Sequence, residues 1–121
     1  MGAPGIKDAR PPFAGLDGKA PEELFGALPT PCYILDEAAL RKNGEILAGV
    51  AKRTGCKILL AQKAFSMFAC YPLLAQYLSG STASGLYEAR LGKEHFPGEV
   101  HVFSPAYRED EIDEILSLCD H

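Results

Sequence analysis

The sequence lacks the features that mark membrane, secreted and nucleic-acid-binding proteins. No apolar run in its 121 residues is long enough to span a bilayer, and no basic stretch followed by an apolar segment opens the chain as a secretory signal would. The 12 Lys and Arg residues are outnumbered by 16 Asp and Glu, which gives a net charge of -4. A protein without a basic excess is a poor partner for nucleic acid. We therefore expect a cytoplasmic protein that binds neither membranes nor nucleic acid.

Cysteine patterns that would indicate a disulfide framework or a zinc site are also missing. The four cysteines are widely spaced and form no C-x-x-C pair, so in a reducing compartment they are most simply small buried apolar residues. His95 and His101 are conceivable zinc ligands, but a structural or solvated histidine is several times more common in such positions. We therefore expect no metal site.

The first 31 residues differ in composition from the rest of the chain. They hold six of the nine prolines, and proline restricts both its own backbone and that of the preceding residue. Residues 1–29 are therefore predicted to form a Pro/Gly-rich, loop-like N-terminal segment, of which residues 1 to about 28 are expected to be dispensable for the following domain. Within it only the stretch "PEELFGAL" favours a short helix, with Pro21 at its first position.

From residue 30 onward the sequence predicts strands that alternate with helices. The four β-prone runs are residues 32–36, 56–62, 81–84 and 99–105. The second run has no polar alternation, as expected of a strand buried on both faces. Alternation at this spacing indicates βαβ units and a parallel sheet, hence an α/β fold.

Capping and turn residues predict the bounds of the helices. Asp36 is expected to cap the first helix of this region and Gly55 to end it. The next helix is predicted to start at Pro72, with Leu74 and Leu78 on one face, and to end at Gly80.

Two further helices are predicted in the second half of the chain. Ser84 is expected to cap a helix that runs through Gly92. Residues 108–119 predict an amphipathic helix. Its inward residues are expected to be Ile112, Ile115, Leu116 and Cys119.

Lys63 lies where the second strand is predicted to end. The carboxyl ends of parallel strands gather at one edge of a sheet, where α/β proteins place their chemistry, and residues 81–85 and 104–107 should meet Lys63 there. A structural interpretation is that Lys63 reaches into solvent or pairs with Glu88. A functional interpretation is a lysine desolvated by Phe65 and Phe68, because desolvation favours the neutral amine that forms Schiff bases.

Four segments of the chain carry a resemblance to a known family. They are "TPCYILD" (30–36), "ILLAQKAFS" (58–66), "STASGLYEARLG" (81–92) and "EVHVFSPAY" (99–107). In this order they resemble the N-terminal part of carboxynorspermidine/carboxyspermidine decarboxylases, which are fold-type III pyridoxal phosphate enzymes related to ornithine and diaminopimelate decarboxylases and to alanine racemase. The resemblance implies that residues 30–121 form the N-terminal part of an alanine racemase-like (β/α)8 TIM-type barrel.

The resemblance also implies the cofactor, the substrate and three site residues. Lys63 would be the catalytic lysine that holds pyridoxal 5'-phosphate as a Schiff base, with Ala61 close to the cofactor ring. Thr82 stands where relatives such as ornithine decarboxylase have an Asp near the cofactor, and a cofactor contact there is as well supported as a plain strand residue. The substrate would be a carboxylated polyamine, in a homodimeric enzyme of polyamine biosynthesis.

Other functions remain open at this point. The alternatives are another fold-type III enzyme (a diaminopimelate- or ornithine-type decarboxylase or an amino-acid racemase), a non-catalytic pyridoxal phosphate-binding barrel, and an α/β binding domain in which Lys63 is structural. In the family, the phosphate loop, the pyridinium partner and the substrate-binding acids, together with the rest of the barrel and a C-terminal β domain, lie further along. We therefore expect the 121 residues alone to be inactive, with an open edge at the last strand.

Overall fold

The computed structural model describes residues 21–121. These residues divide into two compact units, one that ends at Leu40 and one that runs from Arg41 to His121. The helices are α1 (Pro21–Phe25), α2 (Glu37–Thr54), α3 (Tyr71–Leu74), α4 (Leu86–His95) and α5 (Glu109–Leu118). The strands are β1 (Leu59–Ala61), β2 (Gly80–Ala83) and β3 (Glu99–Val102). Predictions made for residues 1–20 lie outside the described residues, and the domain boundary at residue 29 stays a prediction.

The first unit confirms two predicted signals and contradicts one. Helix α1 begins at Pro21, and the carboxylate of Asp36 accepts a hydrogen bond of 2.9 Å from the backbone N–H of Ala39, as an N-cap should. The strand predicted over residues 32–36 is wrong, because these residues form no regular structure. Tyr33 is 97% exposed. A β-prone run needs a neighbouring strand to become a strand, and residues 21–40 contain none.

The second unit is built on a parallel sheet, as predicted. Strand order is β1-β2-β3, with both neighbouring pairs parallel. The strand predicted over residues 56–62 is shorter than expected, since only Leu59–Ala61 form the ladder. Because the strands are parallel, their carboxyl ends lie at the same edge of the sheet.

One face of this sheet packs against α4. Ser81 and Val100 point to that face and are fully buried, and Ala83 beside them is 2% exposed. Close approach of the helix depends on Gly92, since a Cβ there would lie 2.6 Å from the hydroxyl oxygen of Ser81 and 3.0 Å from Gln62 Nε2. The opposite face, which carries Leu59, Ala61, Thr82 and His101, is only half-buried.

Helix ends differ from the predictions where tertiary contacts replace local signals. Gly55 ends α2 as predicted, with a φ of +72° that glycine adopts without strain. Helix α3 is shorter than predicted and gives way after Leu74 to turns, although Leu74 and Leu78 are both buried as expected. The N-cap of α4 is Gly85 rather than Ser84, and the helix extends to His95.

The amphipathic helix α5 buries fewer residues than its pattern predicts. Ile115 is buried, whereas Ile112 is 39% and Leu116 is 72% exposed, and Cys119 lies beyond the helix end with intermediate burial. The side of α5 that carries Leu116 is therefore largely open to solvent.

The chain continues past α5 along the outer edge of β3. The backbone N–H of Asp120 donates to the carbonyl of Val100, and the N–H of Val102 donates to the carbonyl of His121, both at 2.8 Å. The edge of β3 that was predicted to be open is therefore partly paired. Among residues 21–121, no helix combines the length and apolar character needed to cross a membrane.

Candidate active site

Lys63 lies in a turn that begins directly after β1. The turn is closed by the backbone N–H groups of Ala64 and Phe65, which donate to the carbonyl of Ala61 at 3.0 and 3.2 Å. The Lys63 side chain is exposed, and within the described residues it takes part in no ion pair or side-chain hydrogen bond. The structure therefore places an accessible amine at the carboxyl edge of the sheet, as predicted.

The residue before Lys63 is fixed in the core, which the sequence analysis did not foresee. Gln62 is 1% exposed, and its backbone N–H donates to the carbonyl of Thr82 at 3.2 Å. Its side-chain amide donates to the carbonyl of Glu88 at 2.9 Å and accepts from the hydroxyl of Tyr71 at 3.1 Å. These bonds join β1, β2, α3 and α4, so the strand end that carries Lys63 is held from several directions.

Burial of Tyr71 reinforces this network. Its side chain is fully buried, and burial, together with the nearby charge of Glu88, raises the pKa of the phenol. Tyr71 therefore stays protonated and keeps its hydroxyl as a donor to Gln62. A glutamine inside an apolar strand is the one sequence signal that could have revealed this network, because such a residue is rarely buried without partners.

Ala61 and Thr82 are neighbours on the half-buried face of the sheet. The register of the parallel strands pairs Ala61 with Thr82, and Thr82 with His101, so the three side chains form one row beside the turn that carries Lys63. Ala61 and Thr82, two of the predicted site residues, are thus direct neighbours, and the turn with the third, Lys63, follows Ala61. Ala61 and Thr82 are both half-buried.

The surroundings of Lys63 in the structure differ in two respects from those predicted. Glu88 does not pair with it, since the Glu88 carboxylate accepts the backbone N–H of Ser84 at 2.6 Å and so satisfies the start of α4. Phe68 is 52% exposed and stacks on His95, with ring centroids 4.6 Å apart. The desolvated pocket expected around Lys63 is therefore absent from the described residues, because the face of the sheet below it is only half-buried.

A separate charged cluster lies on the same face of the sheet as Ala61 and Thr82. Glu99 forms an ion pair with Lys57, and its second carboxylate oxygen lies 3.0 Å from His101 Nε2. The hydrogen bonds from Lys57 and then from His101 lower the pKa of Glu99 to about 2. The ring of His121 lies 4.5 Å from that of His101, measured between centroids. The sequence suggested His95 and His101 as conceivable zinc ligands, but the structure groups His101 with His121.

The rim formed by β2 and β3 is ordered by short local bonds. The N–H of Phe103 donates to the carbonyl of Ala83 at 3.0 Å, which continues the pairing of the two strands beyond their ends. The N–H of Ser104 donates to the hydroxyl of Tyr107 at 3.0 Å. Of the two segments predicted to share this edge with Lys63, residues 104–107 follow β3, whereas only residues 84–85 follow β2, because residues 81–83 belong to that strand.

These features define a class of protein: a parallel α/β unit with an accessible lysine amine at the carboxyl end of a strand, fixed there by a buried polar network. An amine of this kind can attack a carbonyl carbon. Comparison with known proteins narrows the class further.

The chain is similar to polyamine-pathway decarboxylases over most of its length. It is 49% identical over 98 residues to the carboxynorspermidine/carboxyspermidine decarboxylase of Campylobacter jejuni. The aligned residues make up 81% of this chain and 26% of that protein. It is 43% identical over 91 residues to the protein of the same name from Herminiimonas arsenicoxydans, covering 75% of this chain and 25% of that one. It is 41% identical over 97 residues to the carboxyaminopropylagmatine decarboxylase of Synechocystis, covering 80% and 25%.

A solved structure shows the same likeness. The crystal structure of carboxynorspermidine decarboxylase from Campylobacter jejuni, complexed with norspermidine, matches with a TM-score of 0.74 and 50% sequence identity over 76% of this chain and 25% of that one. No protein-family model matches the chain. The chain spans about a quarter of the length of these relatives, and the match is to their N-terminal part. The resemblance inferred from the sequence motifs is therefore confirmed.

Proposed function

We propose that the protein is a pyridoxal phosphate-dependent decarboxylase of a carboxylated polyamine, with Lys63 as the residue that binds the cofactor covalently. The observation that carries this proposal is the place of Lys63: an accessible amine at the carboxyl end of β1, inside a segment that is similar to carboxynorspermidine/carboxyspermidine decarboxylases. The (β/α)8 barrel, the homodimer and the cytoplasmic location expected from the sequence are parts of the same proposal.

The residues around Lys63 fit pyridoxal phosphate. The cofactor needs an amine held at a fixed position, and Gln62 fixes the preceding backbone through bonds to Thr82, Glu88 and Tyr71. A flat aromatic ring needs a shallow surface beside that amine. Ala61 and Thr82 offer one, because both are small and lie on the half-buried face of the sheet.

Each of these residues would have a distinct role. Lys63 would hold the cofactor covalently through Nζ. Ala61 would contact the ring, and the Thr82 hydroxyl would offer a hydrogen bond beside it. The cofactor, when bound, supplies the electron sink that makes loss of CO₂ possible.

The substrate class comes from the relatives. Two are named for carboxynorspermidine and carboxyspermidine, one for carboxyaminopropylagmatine, and the solved relative is complexed with norspermidine. All of these names describe long amines, so we propose a substrate with a carboxylate on the carbon next to an amine and a second amine further along the chain.

The proposal is tested by measuring CO₂ release by protein expressed from its complete reading frame. The substrates are carboxynorspermidine, carboxyspermidine, carboxyaminopropylagmatine and diaminopimelate. We expect CO₂ release from at least one of the first three. The Lys63→Arg variant keeps the charge but should fall to background, because a guanidinium cannot bond to the aldehyde.

The matched control is Lys93→Arg, a change at another exposed lysine, on α4, and this variant should keep full activity. Release only from diaminopimelate, or racemisation of an amino acid without CO₂ release, would assign the protein to one of the other fold-type III enzymes. Activity retained by Lys63→Arg would refute the proposed role of Lys63.

A further inference from the structure

Three side chains, two half-buried and one exposed, form a group that could hold a metal ion. Glu99, His101 and His121 each present one such atom, and the three atoms lie within 4.8 Å of one another. Two imidazole nitrogens and a carboxylate oxygen form a ligand set that suits Zn²⁺ and similar transition-metal ions.

Backbone pairing, rather than chance, brings the three residues together. Glu99 and His101 are two apart on β3, so their side chains point to the same face of the sheet. The N–H of His121 donates to the carbonyl of Val100 at 3.4 Å, and the N–H of Val102 donates to the carbonyl of His121 at 2.8 Å. This is the pattern of a parallel ladder, and it places His121 directly beside His101.

The spacing of the ligand atoms is close to what a tetrahedral ion requires. Metal–ligand bonds of about 2.0–2.1 Å place neighbouring ligand atoms roughly 3.3 Å apart in a tetrahedral zinc site. Glu99 Oε2 and His101 Nε2 are 3.0 Å apart. The His121 ligand atom lies within 4.8 Å of the other two, and its ring lies 4.5 Å from that of His101, so the imidazole would move closer to complete the set.

The ion pair with Lys57 leaves Oε2 of Glu99 available as a metal ligand. Its ammonium group contacts Oε1 of Glu99, whereas Oε2 faces His101. A metal bound through Oε2 would leave the ion pair with Lys57 in place. Lys57 would then orient the carboxylate, as groups that hydrogen-bond to metal ligands commonly do.

We propose that Glu99, His101 and His121 bind one divalent transition-metal ion, with Zn²⁺ as the ion that fits best. Three protein ligands leave a fourth position for water or for a donor atom of another molecule. His101 also belongs to the row of side chains beside Lys63, but the proposal does not depend on the decarboxylase function. It replaces the expectation from the sequence that no metal is bound.

The test is a calorimetric titration of the metal-free chain with Zn²⁺, followed by a Co²⁺ titration read by visible absorption. We expect one Zn²⁺ per chain. The His101→Gln and His121→Gln variants should each bind at least about tenfold more weakly, since even the loss of a group that supports a ligand costs that much. The matched control is His95→Gln, because His95 stacks on Phe68 away from the three ligands and its replacement should leave the affinity unchanged.

A second measurement on the unmodified chain does not depend on how the variants fold. Zn²⁺ should shift the imidazole ¹⁵N resonances of His101 and His121 and leave those of His95 in place. The proposal is overturned by the absence of saturable Zn²⁺ binding, by a double His101→Gln/His121→Gln variant that binds like the unmodified chain, or by a Zn²⁺ response confined to His95.

Discussion

Replacing the buried Gln62 by leucine tests whether the polar network fixes the strand end that carries Lys63. Leucine is apolar and of similar size, so the change removes the side-chain hydrogen bonds to Glu88 and from Tyr71 without opening a large cavity. The Tyr71 hydroxyl would be left buried without its partner, at a cost of about 1–3 kcal/mol, and the lost bond to Glu88 adds about 1 kcal/mol. We expect Gln62→Leu to lower the free energy of unfolding by about 2–4 kcal/mol.

The assay is urea unfolding followed by far-ultraviolet circular dichroism. A matched control is Gln76→Leu, because Gln76 is exposed in the turns after α3 and surface substitutions usually change stability by less than about 0.5 kcal/mol. Adding Tyr71→Phe to Gln62→Leu removes the unpaired hydroxyl as well. The double variant should therefore be more stable than Gln62→Leu alone by about 1 kcal/mol or more.

Two results would refute this reasoning. Equal stability changes in Gln62→Leu and Gln76→Leu would show that the buried amide contributes nothing beyond its volume. Failure of Tyr71→Phe to restore any stability in the Gln62→Leu background would show that the unpaired hydroxyl is not the source of the loss.

Two further predictions concern Glu99 and Gly92. With a pKa of about 2 against an ordinary 4.5, the Glu99 carboxylate contributes stability that is present above pH 4.5 and is lost as the pH falls towards 2. Replacing Lys57 by Met should raise this pKa, as followed by carboxyl-carbon NMR titration, and an unchanged pKa would contradict the account. Gly92→Ala should destabilise the chain by roughly 1–3 kcal/mol through overpacking against Ser81. Gly49→Ala, in the middle of α2, would place a Cβ 3.4 Å from the flexible end of Arg53. It should be neutral or stabilising by up to about 1 kcal/mol, and equal urea midpoints for the two variants would contradict this.

The sequence predicts the parallel sheet because its signal is local and repeated. Apolar runs alternate with helical patterns, and capping residues such as Asp36 and Gly55 mark helix ends through bonds within a few residues. The position of Lys63 follows from the same pattern, since a residue just after a parallel strand must lie at the carboxyl edge of the sheet. The row formed with Ala61 and Thr82 follows only once the register is known.

The features that sequence analysis missed depend on contacts between distant segments. The network around Gln62 requires Tyr71 of α3 and Glu88 of α4 to lie within hydrogen-bond distance of the same side chain. No local sequence pattern specifies that arrangement. The run at residues 32–36 has the residues of a strand, but strand formation depends on a pairing partner. Leu116 fits the apolar stripe of α5, yet it is buried only if another element covers that side of the helix.

Mapping the lysine that binds pyridoxal phosphate tests the central claim most directly. Protein expressed from its complete reading frame is incubated with the cofactor, reduced with borohydride, digested and analysed by mass spectrometry. Reduction makes the bond between the lysine and the cofactor permanent, so the labelled peptide identifies the attachment site independently of any catalytic activity. The account predicts a pyridoxyl group on Lys63 in protein from the complete reading frame, and its absence from the exposed Lys93 of the same protein. Label on any other lysine, with Lys63 unmodified, would contradict it.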